Sequence, residues 1–312
     1  MIADSTPSSA SAAPGSEGAS SEARSGEPSP PPRFDPAMPG VAGVYNAFQG
    51  TEKDSLPAER AVAAELDELI GGGLDEARRE NRAALARMVS HVARHRPKIR
   101  QWMDIGAGMP VPEGEKISNL SALVREIQPD RLWLNVDIAA RPLVHGRALL
   151  DGDGVTTLKG DLRQLEQLLA EAERHLNLRK PVVVILGAVL HFLNDDEAAR
   201  VIAVFRSRLA AGSVVIVTHA TGDSFPPGVV EKVTSHYERR TRVQPYLRSG
   251  EQLAALLADC KPFKWHEPGS GPQELPLKKV PLTFEMLPDE SSALADPSAP
   301  HARAAIAVLR GS

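Results

Sequence analysis

The run Asp104-Ile105-Gly106-Ala107-Gly108 closes an apolar stretch that begins at Ile99. Glycines in such a place let the backbone turn sharply and approach a ligand closely. A dinucleotide fingerprint would need a third glycine at position 111, where this chain has Val111. An acid at the end of the strand would also repel a pyrophosphate. Asp104 suits a cationic ligand instead, one bearing an ammonium or a sulfonium. A second acid ends Leu134-Asn135-Val136-Asp137. A carboxylate there can accept both hydroxyls of a ribose. It stands 33 residues after Asp104, against about 20 in compact nucleotide-binding units. The excess falls in Met109–Glu115, read as an extended loop. A third acid lies in Gly160-Asp161-Leu162. Asp161 either accepts from an adenine amino group, with Leu162 covering the ring, or simply caps a helix. Three acids at three successive strand ends are more specific together than singly.

Other reactive side chains are weaker candidates. His191 follows the next strand and is the best-placed base, with a structural histidine bonding backbone as the alternative. His219, after the fifth strand, has the same two readings. Tyr45 either reaches over a ligand or packs. Arg79, Asn81 and Arg82 line a lid or form a solvated helix face. His236 and Tyr237 border an acceptor pocket or lie on the surface. Lys53 and Asp54 are expected to pair with each other, and Cys260 to be a buried small hydrophobe. No His/Asp/Glu group has metal-ligand spacing, so no metal is expected.

The elements that must hold these residues alternate. Strands are expected at Ile99–Ile105, Leu132–Val136, Val155–Leu158, Val182–Leu186 and Ser213–Thr218, with amphipathic helices such as Leu162–Leu176 and Ala198–Leu209 between them. The unbroken Val182-Val183-Val184-Ile185-Leu186 suits a central parallel strand covered on both faces. Repeated strand–helix alternation means an open α/β sheet. Two helices precede it. One starts at Pro57, carries Ala58, Val62, Leu66 and Leu69 on one face, and ends at Gly71-Gly72-Gly73; the other carries Leu85, Met88, Val89 and Val92. Helices near 227–238 and 249–258 and strand-like pieces at Pro262–Trp265, Val280–Glu285 and Ala304–Leu309 complete the pattern.

Composition narrows the function. The chain has 312 residues and a net charge of −4, and only 4% are aromatic, which disfavours binding nucleic acid by bulk charge or base stacking. One cysteine excludes an internal disulfide. No apolar run reaches the roughly 18 residues of a membrane span. Residues 1–32 hold nine Ser, six Pro, six Ala and three Gly with a net charge of −3, so the rest is nearly neutral. The expected organisation is a disordered tail over 1–35, a helical cap over 36–97 and an α/β domain over 98–312. Within that domain, acceptor-side helices fall at about 226–258 and a soft loop at about 287–301.

Several stretches resemble the class I, Rossmann-like S-adenosylmethionine-dependent methyltransferases, and more narrowly a bacterial S-adenosyl methyltransferase family. They include Val44-Tyr45-Asn46, Glu80-Asn81-Arg82-Ala83, Trp102–Pro110, Val136-Asp137, Gly160-Asp161-Leu162-Arg163, Ala188-Val189-Leu190-His191-Phe192, Thr218-His219-Ala220-Thr221 and Pro245-Tyr246-Leu247-Arg248-Ser249. The resemblance implies a seven-stranded, mostly parallel sheet with the last strand antiparallel, an N-terminal helical lid, and S-adenosylmethionine as cofactor. It implies that Asp104, Gly106, Ala107 and Gly108 form the methionine-side loop. Asp137 and Ile138 would hold the ribose, and Asp161 and Leu162 would flank the adenine. Gly187 and Ala188 would lie beside the transferable methyl. The expected activity is methyl transfer to a small-molecule acceptor in the cytoplasm, without nucleic acid, membrane or metal. The alternative is a cofactor-binding regulator without transferase activity. Departures from the family pattern occur at Ala139, where a second acid is common, and in the loop after Met109.

Overall fold

The computed structural model describes residues 35–48, 54–111, 118–223, 225–266, 272–274 and 302–310. The Ser/Pro-rich tail through residue 34, Lys53, part of the loop after Met109, Val280–Glu285 and the stretch 287–301 lie outside the described residues.

Strands β1 (Gln101–Ile105), β2 (Leu132–Asp137), β3 (Val155–Lys159), β4 (Val183–Gly187) and β5 (Val214–Ala220) are parallel, and β9 (Ala302–Val308) runs antiparallel beside β5. The two-residue β6 (Lys261–Pro262) pairs with the outer edge of β9, so the order is β3-β2-β1-β4-β5-β9-β6. A separate antiparallel pair joins β7 (Lys264–His266) to β8 (Pro272–Glu274). The sheet reverses direction of growth between β1 and β4. Ligands in such sheets sit at that switch point, beyond the carboxyl ends of the strands.

The sheet is covered on both faces. One layer packs Leu165, Leu168 and Leu169 of α6 (Leu165–Ala172) and Val201, Ile202 and Phe205 of α7 (Asp195–Arg208) against Met103, Leu134, Val184 and Val215. The other packs Leu85, Met88, Val89 and Val92 of α3 (Leu74–His95) against Trp102, Val183, Ile185 and Ile216. Val182 to Leu186 are all fully buried, as a two-sided strand requires. Trp102 and Trp133 are register partners on β1 and β2, and their rings stack with centroids 5.7 Å apart.

Outside this core stands a smaller one, built from Val44 of α1 (Val41–Ala47), Val62 and Leu66 of α2 (Pro57–Ile70) and Tyr237 of α8 (Val229–Thr241). α2 starts on Pro57 and stops at Gly71, whose φ of +86° takes the left-handed cap conformation. Leu69, expected on the buried stripe, is 37% exposed. α1 and α2 meet around Glu59, which is 1% exposed and accepts from the Gly40 and Leu56 amides and from Arg141. A Cβ on Gly43 would fall 2.0 Å from that carboxylate, so a larger residue there would displace Glu59 from its partners.

Helices α4 (Leu120–Ile127), α5 (Ala140–Leu149) and α9 (Gly250–Leu256) complete the set. Among the described residues, no helix is long and apolar enough to cross a membrane.

Candidate functional site

A cavity of about 430 Å³ opens at the switch point, bounded by the ends of β1 to β4 and by α1 and α3. Its floor is the turn after β1. The amides of Gly106 and Ala107 both donate to the carbonyl of Val136, at 2.8 and 3.0 Å, which clamps the turn against β2. Gly106 has φ +75° and Gly108 φ +68°. A Cβ on Gly106 would lie 2.8 Å from Val189 Cγ2, so this position is closed to other residues by both backbone and space.

Asp137, 9% exposed, ends β2. Its Oδ2 accepts from the Gly108 amide and its Oδ1 from the Ala139 amide, both at 2.9 Å. Burial pushes the carboxyl pKa up, and the amides of Ala139, Gly108 and Ile138 pull it back. Asp104 also faces the cavity. Desolvation carries its pKa up to about 7, against the opposing pull of Arg82 and with a further push from Asp137. Asp161 lines the cavity and also caps the turn behind it, accepting from the Arg163 amide at 2.9 Å. The two sequence readings of this residue are therefore compatible. Ile138, Leu162, Gly187 and Ala188 complete this side. Ala188 sits at φ +53°, a conformation non-glycine residues rarely hold, and its amide donates to the Thr218 carbonyl and hydroxyl.

The opposite wall comes from α1, α3 and the turn after β4. Tyr45 and Asn81 line it together, with Asn81 Nδ2 donating to the Tyr45 oxygen at 2.6 Å. His191 lines it too, 8% exposed. Burial, aided by His219 and Arg248, holds its pKa well below the usual imidazole range, so it is neutral at physiological pH. Its Nδ1 is enclosed without a hydrogen bond, which leaves Nε2 as the nitrogen able to meet a ligand. Tyr237 is a further part of this wall, its phenol pKa raised by burial.

Three sequence candidates lie elsewhere. Arg79 points away from the cavity and pairs with Asp75 at 2.5 Å on an exposed helix face. One residue on a helix is about 100° of rotation, so the adjacent Arg78 lines the cavity instead, as does Arg82 one turn beyond it. His219 stands behind His191, ring centroids 5.5 Å apart, and does not line the cavity. Its Nδ1 meets the Ala220 carbonyl and its Nε2 meets Arg248, which is the structural alternative. His236 bonds Glu65 and ties α8 to α2.

The roles of two further residues emerge only in three dimensions. Arg248, 4% exposed, donates to the Leu190 and Leu193 carbonyls, to His219 Nε2 and to Asp195, and so pins the turn that carries His191. Arg141, four residues past Asp137, bonds Glu59 at 2.7 Å and the Asp54 carbonyl at 2.8 Å.

Residues 27–269 match the model of a family described as S-adenosyl methyltransferase. No curated protein matches the chain. Among solved structures, a Thermobifida fusca protein designated a methyltransferase is 27% identical, with a TM-score of 0.73 over 91% of this chain and 99% of that one. A DUF574-family protein from Streptomyces avermitilis is 22% identical, with a TM-score of 0.72 over 89% and 100%, and shares the fold. The glycine turn, the strand-end acids and the family match agree: the chain belongs to the S-adenosyl methyltransferase family, and its cofactor is S-adenosylmethionine.

Proposed function

We propose that this protein transfers a methyl group to a small-molecule acceptor in the cytoplasm, with α1, α2 and α3 as a lid over the cavity. The observation that carries this reading is the meeting of three strand-end acids, Asp104, Asp137 and Asp161, on one cavity whose floor tolerates only glycine at Gly106.

The residues present fit the cofactor. Asp137, already oriented by two amides, is assigned to the ribose hydroxyls. Ile138 and Leu162 supply apolar contact for a purine, and Asp161 an acceptor for its amino group. Asp104 faces the ammonium end, and Arg82 the carboxylate beside it. When bound, S-adenosylmethionine supplies an electrophilic sulfonium methyl, so a nucleophile gains the methyl while sulfur is left as a neutral thioether. The chain's own task is placement and exclusion of water. Gly187 and Ala188 border the reacting end. His191, neutral and enclosed, accepts a hydrogen bond from the acceptor and takes a proton where the acceptor loses one. Arg248 holds the turn in place.

The test is calorimetry with S-adenosylmethionine and S-adenosylhomocysteine, followed by mass spectrometry for homocysteine-form product across an acceptor panel. Binding of both cofactor forms and turnover of at least one acceptor are expected. Failure to bind either form overturns the reading.

A further inference from the structure

The acceptor wall is aromatic in a chain poor in aromatics. Only 4% of residues are Phe, Trp or Tyr, yet Tyr45, Phe48, Phe192 and Tyr237 all line this cavity. They come from three separated segments: α1 with its C-cap, the turn after β4, and α8. Phe192 and Tyr237 have centroids 5.9 Å apart and planes inclined by 30°. Tyr45 and Phe48 meet edge-on at 6.3 Å. Aliphatic residues would bury as much apolar surface for a flexible chain. Rigid rings add a preference for flat partners, through stacked and edge-to-face contacts.

Charge sets the second half of the specificity. An aromatic enclosure also suits a quaternary ammonium, but the three described acids of the cavity all stand at strand ends, on the cofactor's side. The acceptor wall instead carries Arg78 together with neutral Asn81 and His191. Among the described residues, a cation has no counter-charge there.

We propose that the methyl acceptor is a planar aromatic compound, uncharged or anionic, seated against the rings of Phe192 and Tyr237 from the β4 side and α8 and of Tyr45 and Phe48 from α1. This rests on the methyl-transfer reading of the cavity and names the substrate class.

The test uses the full chain saturated with S-adenosylhomocysteine and three probes followed by calorimetry: naphthol, its saturated analogue decahydronaphthol, and tetramethylammonium. Naphthol is expected to bind about tenfold or more tightly than decahydronaphthol, and tetramethylammonium not to bind. Phe192→Leu and Phe48→Leu, two independent volume-similar variants, are each expected to weaken naphthol several-fold while S-adenosylhomocysteine affinity stays within about threefold. Equal affinity for the saturated analogue, tight binding of the cation, no naphthol binding to the loaded protein, or unchanged naphthol affinity in both variants would overturn the proposal. Failure of S-adenosylhomocysteine itself to bind strikes the underlying functional reading instead, and is seen before any probe is added.

Discussion

The Gly108 amide donates to Asp137 Oδ2 at 2.9 Å, which ties the turn after β1 to the acid at the end of β2. The glycine turn and the acid are thus one unit. Asp137→Ala should weaken S-adenosylhomocysteine binding by more than tenfold, through a lost charge-assisted contact and a loosened turn. Asp137→Asn should recover little, because an amide NH₂ would then face one of the two donors. Calorimetry decides; unchanged affinity in the alanine variant would exclude the ribose assignment.

The charge state of Asp104 should make cofactor binding depend on pH. With its pKa pushed up to about 7, the carboxylate is largely protonated at pH 6 and ionised at pH 8. A cationic ligand favours the ionised form. Affinity should therefore rise with pH up to about 7, with a slope of at most about one in log K per pH unit, and level off above. Binding at pH 6.5 should release protons, seen as a buffer-dependent enthalpy. Asp104→Asn should flatten the profile.

Gly106→Ala should destabilise the fold by about 1–3 kcal/mol, combining the cost of a Cβ at positive φ with its overlap on Val189. Adding Val189→Ala should relieve the steric part and leave the backbone part. Urea unfolding of the single and double variants separates the two.

The buried histidines should each weaken the fold on acidification below about pH 6.5. His219 and His91 have folded pKa values of about 4, and His191 lies well below its usual range, all chiefly through burial. A histidine depressed in the folded state binds its proton first in the unfolded chain, so its contribution is present above the unfolded pKa and fades as pH falls towards the folded one. Asp104, Asp137 and Glu80, raised by burial, act in the opposite sense. The histidine part is therefore read by difference: between pH 6.5 and 4.5 the Tm of a His91→Gln variant should lose less, or gain more, than that of the parent chain. The same change in Tm for both would contradict the shift.

Arg248→Met should cost about 3–5 kcal/mol, because it strands two buried carbonyls and His219 Nε2. The Asp195 end, 80% exposed, should contribute little of this. Asp195→Ala in the same denaturation assay should show a far smaller loss.

The parallel strands and their terminal acids were legible because buried parallel strands are unbroken apolar runs and the acids interrupt them at fixed places. α5 was not. Pro142 and Gly146 break its pattern, and Val144 and Leu149 are 63% and 68% exposed, so no stripe marks a buried face. α1 has only seven residues, and the reason for Gly43, the carboxylate of Glu59, is distant in sequence. The choice among the arginines of α3 was within reach: extending the stripe of Leu85, Met88 and Val92 back by whole turns arrives at Arg78, Asn81 and Arg82 and passes over Arg79. Arg248 stood inside the family-like stretch Pro245–Ser249, but its role was not legible there, since its partners at Leu190, Leu193 and His219 are set by tertiary packing.

The bond from Arg141 to Glu59 joins the helix that begins just beyond Asp137 to the small core of α1 and α2. Coupling free energies act equally in both directions. A ligand that binds Asp137 more tightly when α1 and α2 are held in place steadies those helices by the same free energy. Affinity at Asp137 would then depend in part on a carboxylate 78 residues earlier in the chain.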